Sequence, residues 1–226
     1  MLSIVIPTLN AADTLGATIA ALAEAREAQL RHEIVVSDGG STDSTLQIAQ
    51  RAGARVVIGA KGRGVQLHAG ASVAGGDWLL FLHADTRPAA GWLEAVERFR
   101  AASGGVGKAG YFRFKLDAGS RGARRIEALV RLRCDVLSLP YGDQGLLIAR
   151  TAYDAIGGYR PLPLMEDVDI ARRLGRARLA GIDHDAITSA ARYQRDGWWL
   201  RPLRNLACLS LYFLGVPPAR LVRLYR

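Results

Sequence analysis

The sequence predicts an α/β fold, because short apolar strands alternate with amphipathic helices. Half of the 226 residues are apolar, which is enough to bury a sizeable core within one large domain. Strands that alternate with helices at this spacing favour right-handed crossovers and a largely parallel sheet with helices on both faces. The expected strands are 3–8, 33–37, 55–58 and 78–82, and the expected helices are 13–22, 43–49 and 65–74.

The pattern changes after residue 104. Residues 110–116 alternate with a period of two, which predicts a half-exposed strand and therefore a mixed sheet. Residues 121–139 carry apolar side chains among arginines, as in an amphipathic helix that lies on the sheet or on a lipid surface. A tight turn at 140–143, a strand at 144–149 and a short helix at 151–156 are expected next.

Polar residues follow three of the predicted strands. Thr8 and Asn10 come after the first strand, Asp38 after the second, and Asp85 after the strand that begins at Trp78. Ligands of open parallel sheets bind beyond the carboxyl ends of the strands. We therefore expect these side chains to line one crevice, which is the predicted active site.

Asp85 and Asp38 are suited to nucleotide chemistry. A hard divalent cation held by a carboxylate and by phosphate oxygens is a common way to neutralise a diphosphate, and Asp85 is placed for this role. The alternative role for Asp85 is to cap a helix that starts near Pro88. Asp38 precedes Gly39, where the missing side chain lets a base or ribose approach, although the same residues also make a simple turn.

A later acidic pair, Glu166 and Asp167, is a candidate for base catalysis. A carboxylate within hydrogen-bond reach of a nucleophile can take its proton as a new bond forms. The alternative is a helix N-terminus whose dipole favours acidic residues. Arg63, flanked by glycines, can bind a base or phosphate as a charged donor, or can be a solvated loop residue.

The net charge of +9 is unevenly distributed. Arginines crowd residues 121–133, and the segment from Gly197 onward contains five arginines and no acid. This favours an anionic partner, and nucleic acid, anionic lipid and a diphosphate substrate all qualify, as does a merely solvated basic face. Cys134 and Cys208 lack metal-ligand spacing and are expected to be buried thiols.

The two ends of the chain suggest a location. Met1 and Leu2 lead directly into a strand without a basic leader, so a cytoplasmic protein is expected. We divide the chain into a domain at 1–196 and a basic amphipathic helical appendage at 197–226. The apolar run at 206–216 is shorter than the ~20 residues that span a bilayer. It suits the inner face of a membrane or, alternatively, packing on the domain.

The motifs, taken in order over roughly residues 1–175, resemble those of family 2 glycosyltransferases with the GT-A fold. The residues that carry the resemblance are Ser3–Asn10, Asp38–Asp43, Lys61–Gly64 with the segment from Gln66 to Gly70, His83–Asp85 in the place of a DXD motif, and Glu166–Asp167 in the place of an ED motif. The sequence departs from the family at Leu9, where an aromatic residue often stands, at Gly39, where an acid is frequent, and at His83, which replaces an aspartate.

The resemblance implies a GT-A-like, Rossmann-type mixed sheet, mainly parallel, with amphipathic C-terminal helices added. It implies an enzyme that moves a sugar, with inversion, from a nucleotide-diphosphate sugar to an unknown acceptor, which is a lipid phosphate, a saccharide or a small metabolite. Asp85 would hold Mg²⁺ or Mn²⁺, and Asp167 would be the base with Glu166 in support. The residues expected to bind the donor are Pro7, Thr8, Asn10, Asp38, Gly39, Arg63, Ala84 and Asp85.

Two other functions remain open at this point. A sugar-nucleotidyltransferase is disfavoured because no glycine-rich, basic phosphate loop follows the first strand. The other is a non-catalytic module that binds a membrane surface or another anion through its arginines. Nucleic acid is not expected as a partner, because the aromatic and basic residues gather in an apolar tail without a groove-forming repeat.

Overall fold

One mixed sheet organises the computed structural model, which describes residues 1–102 and 107–225. Its strand order within the described residues is β3-β2-β1-β4-β7-β6-β8-β5. The strands are β1 (Leu2–Thr8), β2 (His32–Asp38), β3 (Arg55–Ile58), β4 (Trp78–Phe81), β5 (Thr86–Pro88), β6 (Ala109–Leu116), β7 (Leu146–Ala149) and β8 (Leu179–Thr188).

Helices connect these strands and cover the sheet. They are α1 (Ala12–Ala20), α2 (Ala23–Glu27), α3 (Thr45–Arg51), α4 (Arg63–Val73), α5 (Trp92–Ala102), α6 (Arg121–Leu137), α7 (Arg150–Ala155), α8 (Glu166–Leu174), α9 (Ala191–Asp196), α10 (Leu200–Phe213) and α11 (Pro218–Tyr225). Short 3-10 helices occur at Gly142–Gln144 and Arg176–Arg178.

The first half of the sheet is parallel. β1 lies between β2 and β4 and pairs in parallel with both, and β2 pairs in parallel with β3. β1 and β4 are buried along their whole length, because helices pack on both faces. The register sets Thr8 beside Asp38, so the polar residues that follow these strands lie at one edge of the sheet.

The second half of the sheet has mixed directions. β7 runs antiparallel to both β4 and β6, β6 is parallel to β8 with an irregularity between Phe112 and Arg113, and β5 is antiparallel to β8. Alternate residues of β6 are buried, as its period-two pattern predicts. The α/β prediction with a mixed, mainly parallel sheet is confirmed.

The C-terminal helices pack against the rest of the molecule. Cys208, Leu209 and Leu221 are buried in one apolar cluster with Met165 and Val168 of the α8 region. The proposed domain boundary between residues 196 and 197 stays a prediction. Among the residues described, no helix combines the length and the apolar character needed to cross a bilayer.

Several local predictions need correction. The predicted tight turn at 140–143 instead leads into the 3-10 helix Gly142–Gln144, so the next strand begins at Leu146 and not at 144. β5 is too short to give a sequence pattern. β8 was also missed, because Gly181 and acidic residues interrupt its apolar positions. The change of pattern after residue 104 falls partly outside the described residues.

A substitution at Gly64, in the first turn of α4, tests the packing that positions Arg63. A Cβ at this position would overlap the backbone of Arg160 and Leu162, which cannot move as a flexible side chain can. We expect Gly64→Ala to lower the free energy of unfolding in urea by about 2 kcal/mol, the usual cost of overpacking. The control is Gly181→Ala on β8, where no atom lies within 4 Å of the added Cβ. Equal stability of the two variants would contradict this packing.

Candidate active site

A crevice at the ends of β1 and β2 is built around Asp38. This carboxylate is fully buried and accepts hydrogen bonds from Thr8 Oγ1 at 2.8 Å and from the backbone amides of Gly40 and Ser41 at 2.9 and 2.7 Å. Burial raises the pKa of Asp38, but hydrogen bonds from Ser41, Thr8 and Gly40 outweigh it and hold the pKa below its usual value. Asp38 therefore stays ionised and fixes the loop that follows β2.

Two amide side chains join this loop to its neighbours. Asn10, at a left-handed φ of 49°, accepts a hydrogen bond from the Thr42 amide at 2.8 Å. Gln66 of α4 donates from Nε2 to the carbonyls of Thr8 and Ser37 at 2.5 and 2.9 Å. The ends of β1 and β2 are thus tied together before any ligand binds.

A cavity of about 80 Å³ lies beyond the end of β4. Its walls come from both halves of the sheet and from the C-terminal helices. It is lined by Arg63, His83, Asp85, Tyr141, Asp143, Leu164, Met165, Asp167, Thr188, Ser189, Arg192, Tyr193, Arg201, Asn205 and Tyr225. Because β1 lies between β4 and β2 and adjacent strands are spaced by ~4.8 Å, the ends of β4 and β2 are about 10 Å apart along one edge of the sheet.

Asp167 enters the cavity from the first turn of α8. Met165, the residue just before α8, is buried with a φ of 64°, a strained conformation for a residue other than glycine and one that is concentrated at functional sites. Asp167 accepts hydrogen bonds from the backbone amide of Gly142 at 3.2 Å and from that of Val168 at 2.8 Å. These two bonds fix the carboxylate at the cavity wall.

Glu166 lies beneath the cavity and pairs with Arg63. The Arg63 Nε and Glu166 Oε1 atoms are 3.2 Å apart, and Glu166 is 1% exposed. The contact lacks hydrogen-bond alignment, so neither carboxylate oxygen has a hydrogen-bond partner among the described residues. Burial raises the pKa of Glu166 while Arg63 opposes this, and in turn the charge of Glu166 raises the pKa of Arg63.

Asp143 is a second carboxylate on the cavity wall. Its Oδ1 atom is buried and has no hydrogen-bond partner in the part of the chain that the structure describes. Burial raises the pKa of Asp143 to about 6, although the charge of Arg133 opposes the shift. The Nε2 atom of His83 is also buried without a partner, and burial lowers the pKa of His83 to about 3, so its ring is neutral. Unpartnered polar atoms of this kind favour a bound polar ligand.

Asp85 faces Arg192 of α9, with Oδ2 and Nη2 3.4 Å apart. No group of three or more potential ligands among His, Cys, Asp and Glu is assembled for a metal within the described residues. Asp85 and Asp143 nevertheless offer two carboxylates to one cavity. This donor set fits Mg²⁺ or Mn²⁺, which prefer oxygen and take further ligands from phosphate and water.

The structure separates the predicted site residues into two groups. Arg63, Asp85 and Asp167 line the cavity, with Glu166 beneath it, whereas Asp38 and Asn10 belong to the neighbouring crevice. Pro7, Thr8 and Gly39 lie at the strand ends of that crevice, and the Ala84 carbonyl accepts a hydrogen bond from Thr18. Their contacts with a donor stay predictions.

The sequence analysis missed the cavity wall made by the C-terminal helices. Arg192, Tyr193, Arg201, Asn205 and Tyr225 all line the cavity. No local sequence signal marks this wall, because Arg201 lies within an amphipathic helix and its burial, to 7% exposure, comes only from tertiary packing.

The sequence itself matches a known family. Residues 3–126, more than half of the chain, match the model of glycosyl transferase family 2. The chain belongs to this family. A stretch of 92 residues is 44% identical to the PGL/p-HBAD biosynthesis glycosyltransferase of Mycobacterium bovis (strain BCG). This stretch covers 38% of the chain and 35% of the relative. The chain thus spans about a third of the length of the relative.

Solved structures share the fold at low identity. Glucosyl-3-phosphoglycerate synthase from Mycobacterium tuberculosis, in a complex with Mn²⁺ and UDP, aligns with a TM-score of 0.59 and 23% identity over 82% of this chain and 70% of that one. TarS from S. aureus aligns with a TM-score of 0.65 and 15% sequence identity, and the alignment covers 99% of this chain and 42% of TarS. Mannosyl-3-phosphoglycerate synthase from Rubrobacter xylanophilus aligns with a TM-score of 0.60 and 24% sequence identity, and the alignment covers 84% of this chain and 67% of the synthase. The predicted GT-A fold and the predicted membership of glycosyltransferase family 2 are confirmed.

The raised pKa of Asp143 makes a prediction about stability. A carboxyl group whose folded pKa lies near 6 instead of 3.8 costs stability as pH rises between these values, because the folded state holds the proton more tightly. We expect Asp143→Asn to raise the free energy of unfolding at neutral pH by about 1–2 kcal/mol, and the gain to vanish near the ordinary pKa of aspartate.

The measurement is chemical denaturation across this pH range, with Asp154→Asn as a control on an exposed residue of α7. A loss of stability in Asp143→Asn at neutral pH would mean that the carboxylate is compensated by contacts in the folded chain.

Proposed function

We propose that the protein is a metal-dependent, inverting glycosyltransferase that uses a nucleotide-diphosphate sugar. The observation that carries the proposal is the convergence of Asp85, Asp143, Asp167 and Arg63 in one cavity beside the Asp38 crevice. The crevice suits the nucleoside, and the cavity suits the diphosphate and the sugar. A UDP-sugar is the preferred donor, because a structurally similar synthase was crystallised with Mn²⁺ and UDP.

Asp85 and Asp143 would hold the cation, with Mg²⁺ or Mn²⁺ as the candidates. When bound, the cation neutralises charge on the diphosphate as it departs. Arg63 and Arg192 line the same cavity and add fixed positive charge near the leaving group. Arg192 pairs with Asp85 in the structure, so donor binding would exchange this contact for one with phosphate.

Asp167 is the proposed base, with Glu166 holding the α8 end of the site through Arg63. The acceptor hydroxyl oxygen attacks the anomeric carbon while its proton passes to Asp167. The bond between that carbon and the diphosphate oxygen breaks, and its electron pair leaves with the nucleotide diphosphate. Direct displacement from the opposite face inverts the anomeric configuration.

The acceptor side is assigned to Asp143 and the C-terminal helices. The unpartnered Oδ1 of Asp143 can also accept a hydrogen bond from an acceptor hydroxyl. The acceptor class, whether lipid phosphate, saccharide or small metabolite, stays open in this proposal. A cytoplasmic position, peripheral at the inner face of a membrane, stays a prediction as well.

Donor binding is tested by thermal shift with UDP, GDP, ADP, CDP and dTDP in the presence of Mn²⁺. We expect one nucleotide to raise the melting temperature by several degrees, since a ligand at 100 times its Kd adds about 2.7 kcal/mol. Asp85→Asn should lose the shift, while Asp183→Asn, an exposed carboxylate paired with Arg113, should keep it. No shift with any nucleotide would refute the proposed donor site.

The base is tested by Asp167→Asn. The amide keeps the size of the side chain but cannot take a proton, so kcat should fall about 10²- to 10⁴-fold while the donor KM changes little. Asp135→Asn, an exposed residue of α6, is the control for a lost acidic group. Sugar transfer is followed by release of the nucleotide diphosphate. A kcat near that of the native enzyme would exclude Asp167 as the base.

A further inference from the structure

The exposed apolar side chains of the described residues are concentrated on α6 and the C-terminal helices. Apart from Ile58 on β3, the large apolar residues with substantial exposure lie on α6 or from Trp199 onward. They are Leu129, Leu132, Val136, Leu137, Trp199, Leu200, Leu203, Leu206, Phe213, Leu214 and Leu224. A soluble surface rarely gathers so many on adjacent elements without a partner.

Helix α10 is apolar on its outward face. Its inward face buries Arg201, Cys208 and Leu209. Trp199, just before the helix, together with Leu203 and Leu206 forms a stripe on the opposite side, with exposed fractions of 65%, 58% and 58%. Helices on protein surfaces normally turn polar residues outward, so this arrangement requires an apolar environment on the outer side.

Helix α6 extends the same surface. Arg125 donates from Nη2 to the Trp198 carbonyl at 2.8 Å, and its guanidinium lies 3.4 Å from the centre of the Trp199 ring. These contacts hold α6 beside the start of α10. Leu129, Leu132 and Val136 recur at helical spacing on α6 and are 48%, 58% and 57% exposed.

The charge around this surface identifies the occupant. Exposed arginines accompany the apolar stripe on α6 and α11, and no acidic residue occurs from Gly197 to Tyr225. A second copy of the chain on a two-fold axis would bring these arginines against each other. An anionic bilayer instead accepts apolar side chains between its lipids, arginines at its headgroups and tryptophan at its interface.

We propose that the α6–α10 surface, made of Leu129, Leu132, Val136, Trp199, Leu203 and Leu206 with the neighbouring arginines, docks the protein on an anionic membrane. The inward face of α10 contributes Arg201 and Asn205 to the cavity, so docking would hold the cavity at the lipid surface. A further consequence rests on the proposed function: the acceptor is a hydroxyl or phosphate group carried by a lipid.

Docking is tested by co-sedimentation of the whole protein with phosphatidylcholine vesicles, with or without phosphatidylglycerol. The native protein should pellet with the anionic vesicles and less so at high salt, because salt screens the arginines. Leu203→Glu combined with Leu206→Glu should reduce the bound fraction about tenfold or more. Ile58→Glu, equally exposed but on β3, should bind as the native protein does.

Circular dichroism melting confirms that each variant is folded, and the nucleotide thermal shift, measured without vesicles, reports separately on the donor site. Vesicle binding without any nucleotide shift would contradict the proposed function and leave docking intact. Native protein that stays in the supernatant with anionic vesicles, or a double variant that binds as well as the native protein, would overturn docking. So would a native dimer that the double variant separates and that binds no vesicle.

Discussion

The ion pair between Arg63 and Glu166 joins the first turn of α4 to the first turn of α8 beneath the cavity. Removing one partner of a buried pair usually costs about 3–5 kcal/mol, because the other charge is then left without compensation. Gly64 allows α4 to start this close to the 160–162 loop, and its amide donates to the Leu162 carbonyl at 3.2 Å. The pair therefore fixes both Arg63 and the neighbouring Asp167, and the C-terminal helices pack against the same α8 region through Cys208, Leu209 and Leu221.

The charges of the cavity are balanced only in part. Asp85 is paired with Arg192, while Asp143 has an oxygen without a partner and a raised pKa. Within the described chain, these carboxylates do not belong to a group of three or more potential metal ligands. Such a site gains most from a ligand that brings cationic and anionic groups together, which is what a divalent cation bound to a nucleotide diphosphate does. The unpartnered polar groups that preorganise the cavity thus lower the folding stability of the protein.

The sequence predicted the parts of the site that local pattern determines. Asp38 and Asp85 follow apolar strands, and strand order alone brings those ends to one edge of the sheet. The role of Asp143 could not be told from a turn, because its burial comes from packing by distant residues such as Thr188. The sequence left open whether the tail at 197–226 binds a membrane or packs on the domain, since no local signal shows that Arg201 folds back over the site. The burial of Asp143 and the position of the C-terminal tail therefore depend on tertiary contacts that sequence periodicity does not reveal.

The central claim is that the protein and the nucleotide hold the cation jointly. Electron paramagnetic resonance of free Mn²⁺, titrated into the protein with and without the nucleotide selected by thermal shift, tests this most directly. The account predicts weak binding of Mn²⁺ alone and much tighter binding of both ligands together, with reciprocal coupling between them. Tight binding of Mn²⁺ without nucleotide, or nucleotide affinity that does not depend on Mn²⁺, would contradict it.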